Sequence, residues 1–215
     1  VNVLCAILTR DTALQDEVKD AVTSAMQQAE AQGIECRYTR CIERYGVAIG
    51  RNRVVATFLA SDCTHLLFID DDVCIPPDTI TRLVEADADI AGGCYVFLAE
   101  QGRRIVPSIA VRVDGDWVRQ WFDGVIEADR VATGCMLIQR DVFGRVGNPG
   151  AWFQWPSWLN EDGHFESTSD DVDFCRRAKD AGCRIVAHGN VRCGHFRRID
   201  LGALVPGRAQ QPVEA

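Results

Sequence analysis

The sequence predicts an α/β protein: a mostly parallel sheet with helices on both faces, and a smaller antiparallel portion in the second half. Three observations carry that expectation. Across residues 1–98, short apolar runs alternate with segments whose apolar residues recur at helical spacing, the order expected of βαβ units. One run, HLLFI at residues 65–69, stops on three consecutive aspartates. After residue 105 the pattern shifts to short stretches parted by turn signals such as Asp114-Gly115.

The elements follow in order. Residues 2–8 (NVLCAIL) read as a buried strand. Residues 12–32 carry apolar residues at helical spacing (Leu14, Val18, Ala21, Val22, Ala25, Met26 and Ala29), and Gly33 supplies the stop. Residues 34–40 alternate as a second strand. Residues 48–60 form a second helix with Val54, Val55, Phe58 and Leu59 inward. Pro76-Pro77-Asp78 opens a third helix, because proline suits a first helical turn. Residues 89–96 are a further strand. Residues 105–113, 116–122 and 124–131 are expected as antiparallel strands, 134–139 as a buried strand and 140–146 as a short helix. Residues 147–168, rich in Gly, Pro, Trp and Asn, read as a long loop, and loops of that length are usually functional. Ser169 caps a helix to residue 181, Gly182 ends it, and 183–187 is the last clear strand. The expected organisation is one domain over 1–199, with halves at 1–98 and 99–199, and a polar surface tail over 200–215.

Composition narrows the class. With 47% hydrophobic and 25% charged residues, the chain is expected to fold rather than stay disordered. The formal charge of −8 argues against a protein that coats nucleic acid, since phosphate neutralisation needs cations. No apolar run reaches the length of a membrane span. Residues 1–8 lack the basic flank and cleavage site of a signal peptide. The ten cysteines show no CxxC pair and lie largely in apolar runs. They read as reduced core residues of a cytoplasmic protein.

Three constellations carry chemistry. Asp70-Asp71-Asp72 stands at the carboxyl end of a buried strand, where open α/β sheets bind ligands. Three adjacent carboxylates need solvation or a cation, and oxygen ligands suit Mg²⁺ or Mn²⁺ bridged to phosphates. A solvated turn that caps the next helix is the alternative. Asp170 and Asp171 open a helix in SDDVDFC. They either complement the helix dipole or supply a general base. In VRCGHFRR, His195 either packs structurally or completes a metal site, and Arg197 and Arg198 are candidates for phosphate. Trp152, Phe153, Trp155 and Trp158 offer flat faces for sugar rings or bases, or a hydrophobic plug over the core. Basic residues also gather at Arg103-Arg104, at Arg176-Arg177 with Lys179, and at Arg192.

Taken in order, FIDDDV, the PPD helix start, ATGCMLIQRDVF and STSDDVDFCRRAKDAGCRIVAHGNVRCGHF resemble the GT-A glycosyltransferases of the family-2 type, particularly small phage and bacterial forms. The resemblance covers roughly residues 3–198. It implies a Rossmann-like GT-A fold and a UDP- or GDP-sugar donor held with Mn²⁺ or Mg²⁺. It assigns Asp70 and Asp71 to the nucleotide-sugar and Asp70, Asp72 and His195 to the metal. Thr9 and Arg10 would meet the base, and LTRD departs from the family's Pro-Thr/Ser-x-x-Arg pattern there. Arg51, Asn52 and Arg53 would close over the donor, with Gly92 and Gly93 lining its sugar. Gly134, Trp152, Trp155, Trp158, Arg197 and Arg198 would face the acceptor. Asp171, beside Asp170, would be the base of an inverting transfer. The acceptor stays open among a glycan, a protein and a hydroxymethylated base in phage-type DNA, which would have to be flipped out of its duplex. A nucleotidyltransferase and a non-catalytic sugar-nucleotide or glycan-binding module are the competing readings. The first usually carries a glycine-rich loop after its first strand, and LTRDTALQ has no glycine.

Overall fold

The computed structural model describes residues 1–10, 14–99, 104–113 and 116–196. Arg197, Arg198, Arg103 and the tail from residue 200 lie outside the described residues.

In chain order the elements are β1 (Asn2–Thr9), α1 (Asp16–Glu30), β2 (Glu35–Ile42), α2 (Val47–Leu59), β3 (His65–Asp70), β4 (Val73–Cys74), α3 (Thr79–Glu85) and β5 (Ile90–Cys94). Then come β6 (Val96–Ala99), β7 (Arg104–Pro107), β8 (Val111–Val113), β9 (Asp116–Val118), β10 (Val125–Glu127), β11 (Cys135–Gln139) and α4 (Val142–Val146). The last are β12 (Ser157–Leu159), β13 (Phe165–Ser167), α5 (Asp170–Asp180), β14 (Ile185–Arg192) and β15 (Gly194–His195).

The seven-stranded sheet runs β10-β14-β5-β11-β3-β1-β2. The α/β class is as expected, but the sheet is mixed. β1 pairs in parallel with β2 and β3, and β14 with β5. β11 is antiparallel to both its neighbours, and β10 is antiparallel to β14. The reason lies in the connection. The chain leaves β5 through the hairpins β6–β7 and β8–β9 rather than through a crossover helix, so it can re-enter the sheet reversed. The reversal still serves the site. Gly134, just before β11, lies at the same rim as the carboxyl end of β3, where the Asp70 N–H donates to the Gly134 carbonyl at 3.4 Å.

Period-2 alternation divides the sheet residues between two cores. On one face Val3, Cys5, Ile7, Leu67 and Ile69 pack with Val18, Val22 and Ala25 of α1 and Ile80 and Leu83 of α3. On the other, Leu4, Ala6, Leu66 and Phe68 meet Val54, Val55 and Phe58 of α2, Phe143 of α4 and Phe174 of α5. Both faces are covered, which is why β1 and β3 read as near-continuous apolar runs. All ten cysteines are free, and seven of them are buried.

The 147–168 segment is not a plain loop. It contains the exposed antiparallel hairpin β12–β13. No helix among the described residues is long and apolar enough to cross a membrane.

Candidate active site

The carboxyl ends of β1 and β3 form the floor of a pocket of about 320 Å³, lined by Thr9, Arg10, Arg51, Asp70, Asp71 and Asp72. A second cavity of about 500 Å³ adjoins it and is lined by Tyr95, Arg119, Arg130, Trp155, Asp171 and His195, with Asp70 shared between the two.

Arg51 explains how several acids coexist here. It projects from α2 with its side chain 7% exposed. Its Nη1 donates to Asp170 Oδ1 at 2.6 Å, and its Nη2 lies 3.5 Å from Asp70 Oδ1. Burial raises the carboxyl pKa values of Asp70 and Asp170, and the Arg51 charge holds both back. For Asp70, Asp72 and Asp171 push upward as well. Burial would lower the Arg51 pKa, but Asp70 and Asp170 more than offset that. One cation thus ties the acidic end of β3 to the start of α5.

Asp170 and Asp171 then part company. Asp170 is buried, and its Oδ2 has no partner. It anchors Arg51 and does not line either cavity, which corrects its expected catalytic place. Asp171 lines the second cavity. Its Oδ1 accepts from Ser169 Oγ at 2.5 Å and from the Val172 N–H at 2.8 Å, which fixes the carboxylate in the first turn of α5.

β15 pairs antiparallel with β4, opposing His195 to Val73, and the Phe196 N–H donates to the Asp72 carbonyl at 2.8 Å. That short ladder sets His195 Nε2 3.3 Å from Asp72 Oδ2. His195 Nδ1 lies 2.6 Å from the Val96 carbonyl oxygen. A carbonyl only accepts, so Nδ1 carries the hydrogen. Nε2 then directs a lone pair at a carboxylate, an arrangement that needs a proton or a cation between them. Backbone anchoring of the far ring nitrogen is the usual support of a metal-bound histidine. Among the described residues no group of three or more His, Cys, Asp or Glu encloses a metal. An imidazole and a carboxylate with open positions fit a cation that shares its shell with phosphate oxygens and water.

The structure relocates several residues expected at the site. The Asn52 amide exchanges two 2.9 Å hydrogen bonds with the backbone of Phe153, so it holds the aromatic segment instead of a donor. Arg53 pairs with the buried Glu43. Gly92 and Gly93 are packing positions. A Cβ at 92 would come within 2.5 Å of Val131, and one at 93 within 2.7 Å of Cys135 Sγ. Trp152 is core: it is buried, its indole N–H donates to the Phe143 carbonyl at 3.2 Å, and its ring meets Phe143 edge-on. It therefore shows no face to an acceptor. Trp158 sits on the exposed β12–β13 hairpin and does not line the cavity, whereas Trp155 does. Gly134 is required by close approach, since a Cβ there would lie 2.6 Å from the Tyr95 hydroxyl.

Sequence reading missed Tyr95, Arg119 and Arg130. Tyr95 is buried against His195 with ring centroids 5.0 Å apart. It directly follows β5, so its place at a strand's carboxyl end was the available signal. Among the described basic residues, Arg176 pairs with Asp173 and Asp180, Arg177 with Asp173, Lys179 with Asp129, and Arg192 with Asp123.

In overall shape the chain is similar to GalNAc-T7, solved with UDP, GalNAc and Mn²⁺ (12% identity, TM-score 0.58, covering 92% of this chain and 44% of that one). It is also similar to the catalytic domain of Drosophila β1,4-galactosyltransferase 7 in complex with xylobiose (14% identity, TM-score 0.54, 100% and 77%). TarS of S. aureus is a third such structure (11% identity, TM-score 0.50, 89% and 36%). At these identities the likeness shows the fold alone, and the chain spans less than half the length of GalNAc-T7. None of the curated proteins matches the chain in sequence. The family model described as "Glycosyltransferase like family 2" matches residues 12–211, nearly the whole chain, and the protein belongs to that family.

Proposed function

We propose that the protein is a metal-dependent glycosyltransferase that moves a sugar from a nucleotide-sugar to an acceptor hydroxyl with inversion. The observation that carries this reading is the pair of adjoining cavities joined at Asp70, with Asp72 lining the first, Asp171 lining the second, and His195 reaching Asp72 from the second. Thr9, Arg10 and Asp71 line the donor pocket, where a UDP- or GDP-sugar would lie. UDP and Mn²⁺ accompany GalNAc-T7, a protein of the same fold, which supports that donor class. Asp72 and His195 would hold Mn²⁺ or Mg²⁺. When bound, that ion would supply Lewis-acid neutralisation of the diphosphate leaving group.

The chain's own residues do the rest. Asp171 accepts the proton of the acceptor hydroxyl as its oxygen attacks the anomeric carbon and the bond to the diphosphate breaks. The Ser169 hydroxyl and the Val172 N–H orient that carboxylate through Oδ1. Arg51 and Asp170 fix the start of α5 and hence the position of the base. Trp155 lines the cavity and would stack on a sugar ring there. We favour a saccharide acceptor over a DNA base, because Arg176, Arg177, Lys179 and Arg192 are already paired with carboxylates. The test is release of nucleoside diphosphate from a panel of UDP- and GDP-sugars, with and without Mn²⁺. Metal-dependent release from at least one donor is expected. No release and no donor binding with either ion would overturn the reading.

A further inference from the structure

Two arginines stand in the acceptor-side cavity with no carboxylate paired to them among the described residues. Arg119 and Arg130 both line it, and neither forms an ion pair with a described residue. Elsewhere Arg51, Arg145, Arg177 and Arg184 each have an acidic partner within 3 Å. The cavity pair is held by other means. Arg119 Nη1 donates to the Pro107 carbonyl at 2.9 Å, and its guanidinium lies 5.1 Å from the Phe97 ring centroid. Arg130 stacks on Trp117 at 3.8 Å, and its Nε is buried without a hydrogen-bond partner. Burial lowers both guanidinium pKa values, and Arg119 lowers that of Arg130 further. Asp171 offsets part of this charge at a distance, but as the proposed base it has to remain able to take up a proton.

We propose that the acceptor is an anionic saccharide, one whose phosphate or carboxylate group is gripped by Arg119 and Arg130. The inference rests on the glycosyltransferase reading above and deepens it. Planar guanidinium forks already fixed by stacking are suited to bidentate recognition of such groups and lose little freedom on binding. A neutral sugar would leave two adjacent cations uncompensated in a half-enclosed cavity. The donor's own diphosphate is expected on the Asp72 side, since neither arginine lines the donor pocket, which shares only Asp70 with this cavity.

The test is calorimetric titration of glucose 6-phosphate, glucuronate and glucose into the intact protein saturated with Mn²⁺ and UDP. Both anions should bind, and glucose should bind at least about tenfold more weakly. Whichever anion is tighter identifies the group as phosphate or carboxylate. Arg119→Gln and Arg130→Gln should each weaken anion binding roughly ten- to a hundredfold, the scale of one charge-assisted contact. Arg130→Lys keeps the charge without the fork and should fall between. Equal binding of glucose and the two anions, no binding of either anion, or wild-type anion binding in both Gln variants would overturn the proposal. So would binding of a DNA duplex through Arg119 and Arg130 where the sugar anions fail. Binding of UDP with Mn²⁺ is measured first and separately. Its absence counts against the glycosyltransferase reading, while the anion preference is still read from the same protein without nucleotide.

Discussion

Removing Arg51 isolates the electrostatic design of the site. In Arg51→Met the side-chain volume is nearly kept, but Asp170, whose side chain is 2% exposed, loses the one cation paired with it among the described residues. Asp70 loses the same partner. Breaking a buried pair from one side costs about 3–5 kcal/mol. For a chain of this size that corresponds to a fall in Tm of roughly 6–20 °C. The loss has a pH signature. Burial still raises the Asp170 pKa, and the restraint from Arg51 is gone, so the folded value lies above the unfolded value of about 3.9. The folded state then binds the proton more tightly than the unfolded chain, and stability falls as pH rises. The wild-type Asp170 pKa is also raised, so the deficit should shrink, by up to about 1.4 kcal/mol per pH unit, as pH drops from the variant's folded pKa to the lower wild-type folded value. Urea unfolding at several pH values measures it, and Arg51→Met/Asp170→Asn should recover more than half of the loss. A single variant within about 1 kcal/mol of wild type, or a deficit independent of pH, would refute the argument.

Three further outcomes follow from the same geometry. Asp171→Asn should retain donor binding and lower kcat by roughly 10²-fold or more, read by single-turnover transfer. Trp152→Ala should cost about 3–5 kcal/mol in denaturant unfolding, because it empties a packed core site. Trp155→Ala should leave stability nearly unchanged and raise the acceptor KM, the reverse pattern.

What the sequence made legible depended on whether a residue's role was local. The run HLLFI buried on both faces, stopping at Asp70, pointed to the candidate site, because strand burial and the position of a strand's end are written in contiguous residues. The same holds for the α1 stripe and the Asp171 turn. The direction of β11 was not legible, since it depends on the route taken by residues 95–134 across the rim. The acidic partner of Arg51 was missed, and Asn52 and Trp152 were misplaced, for a related reason. Their partners lie 119, 101 and 9 residues away, and no local pattern tells a buried arginine bridging two acids from one reaching for a ligand. Arg130 carried no motif and became visible only when Trp117 and the cavity were seen together.

The most direct test of the account is calorimetric binding of UDP and GDP at saturating Mn²⁺ and with EDTA, in wild type and in Asp72→Asn. The Asp72–His195 pair, 3.3 Å apart with Nδ1 committed to Val96, is the feature on which the proposed metal-dependent donor binding rests. Wild type should bind one nucleotide tightly with Mn²⁺ and lose most of that affinity with EDTA. Asp72→Asn, folded and with its Tm nearly unchanged, should bind as weakly with Mn²⁺ as wild type does without it. Nucleotide binding that is indifferent to EDTA, or undiminished in Asp72→Asn, would contradict the account.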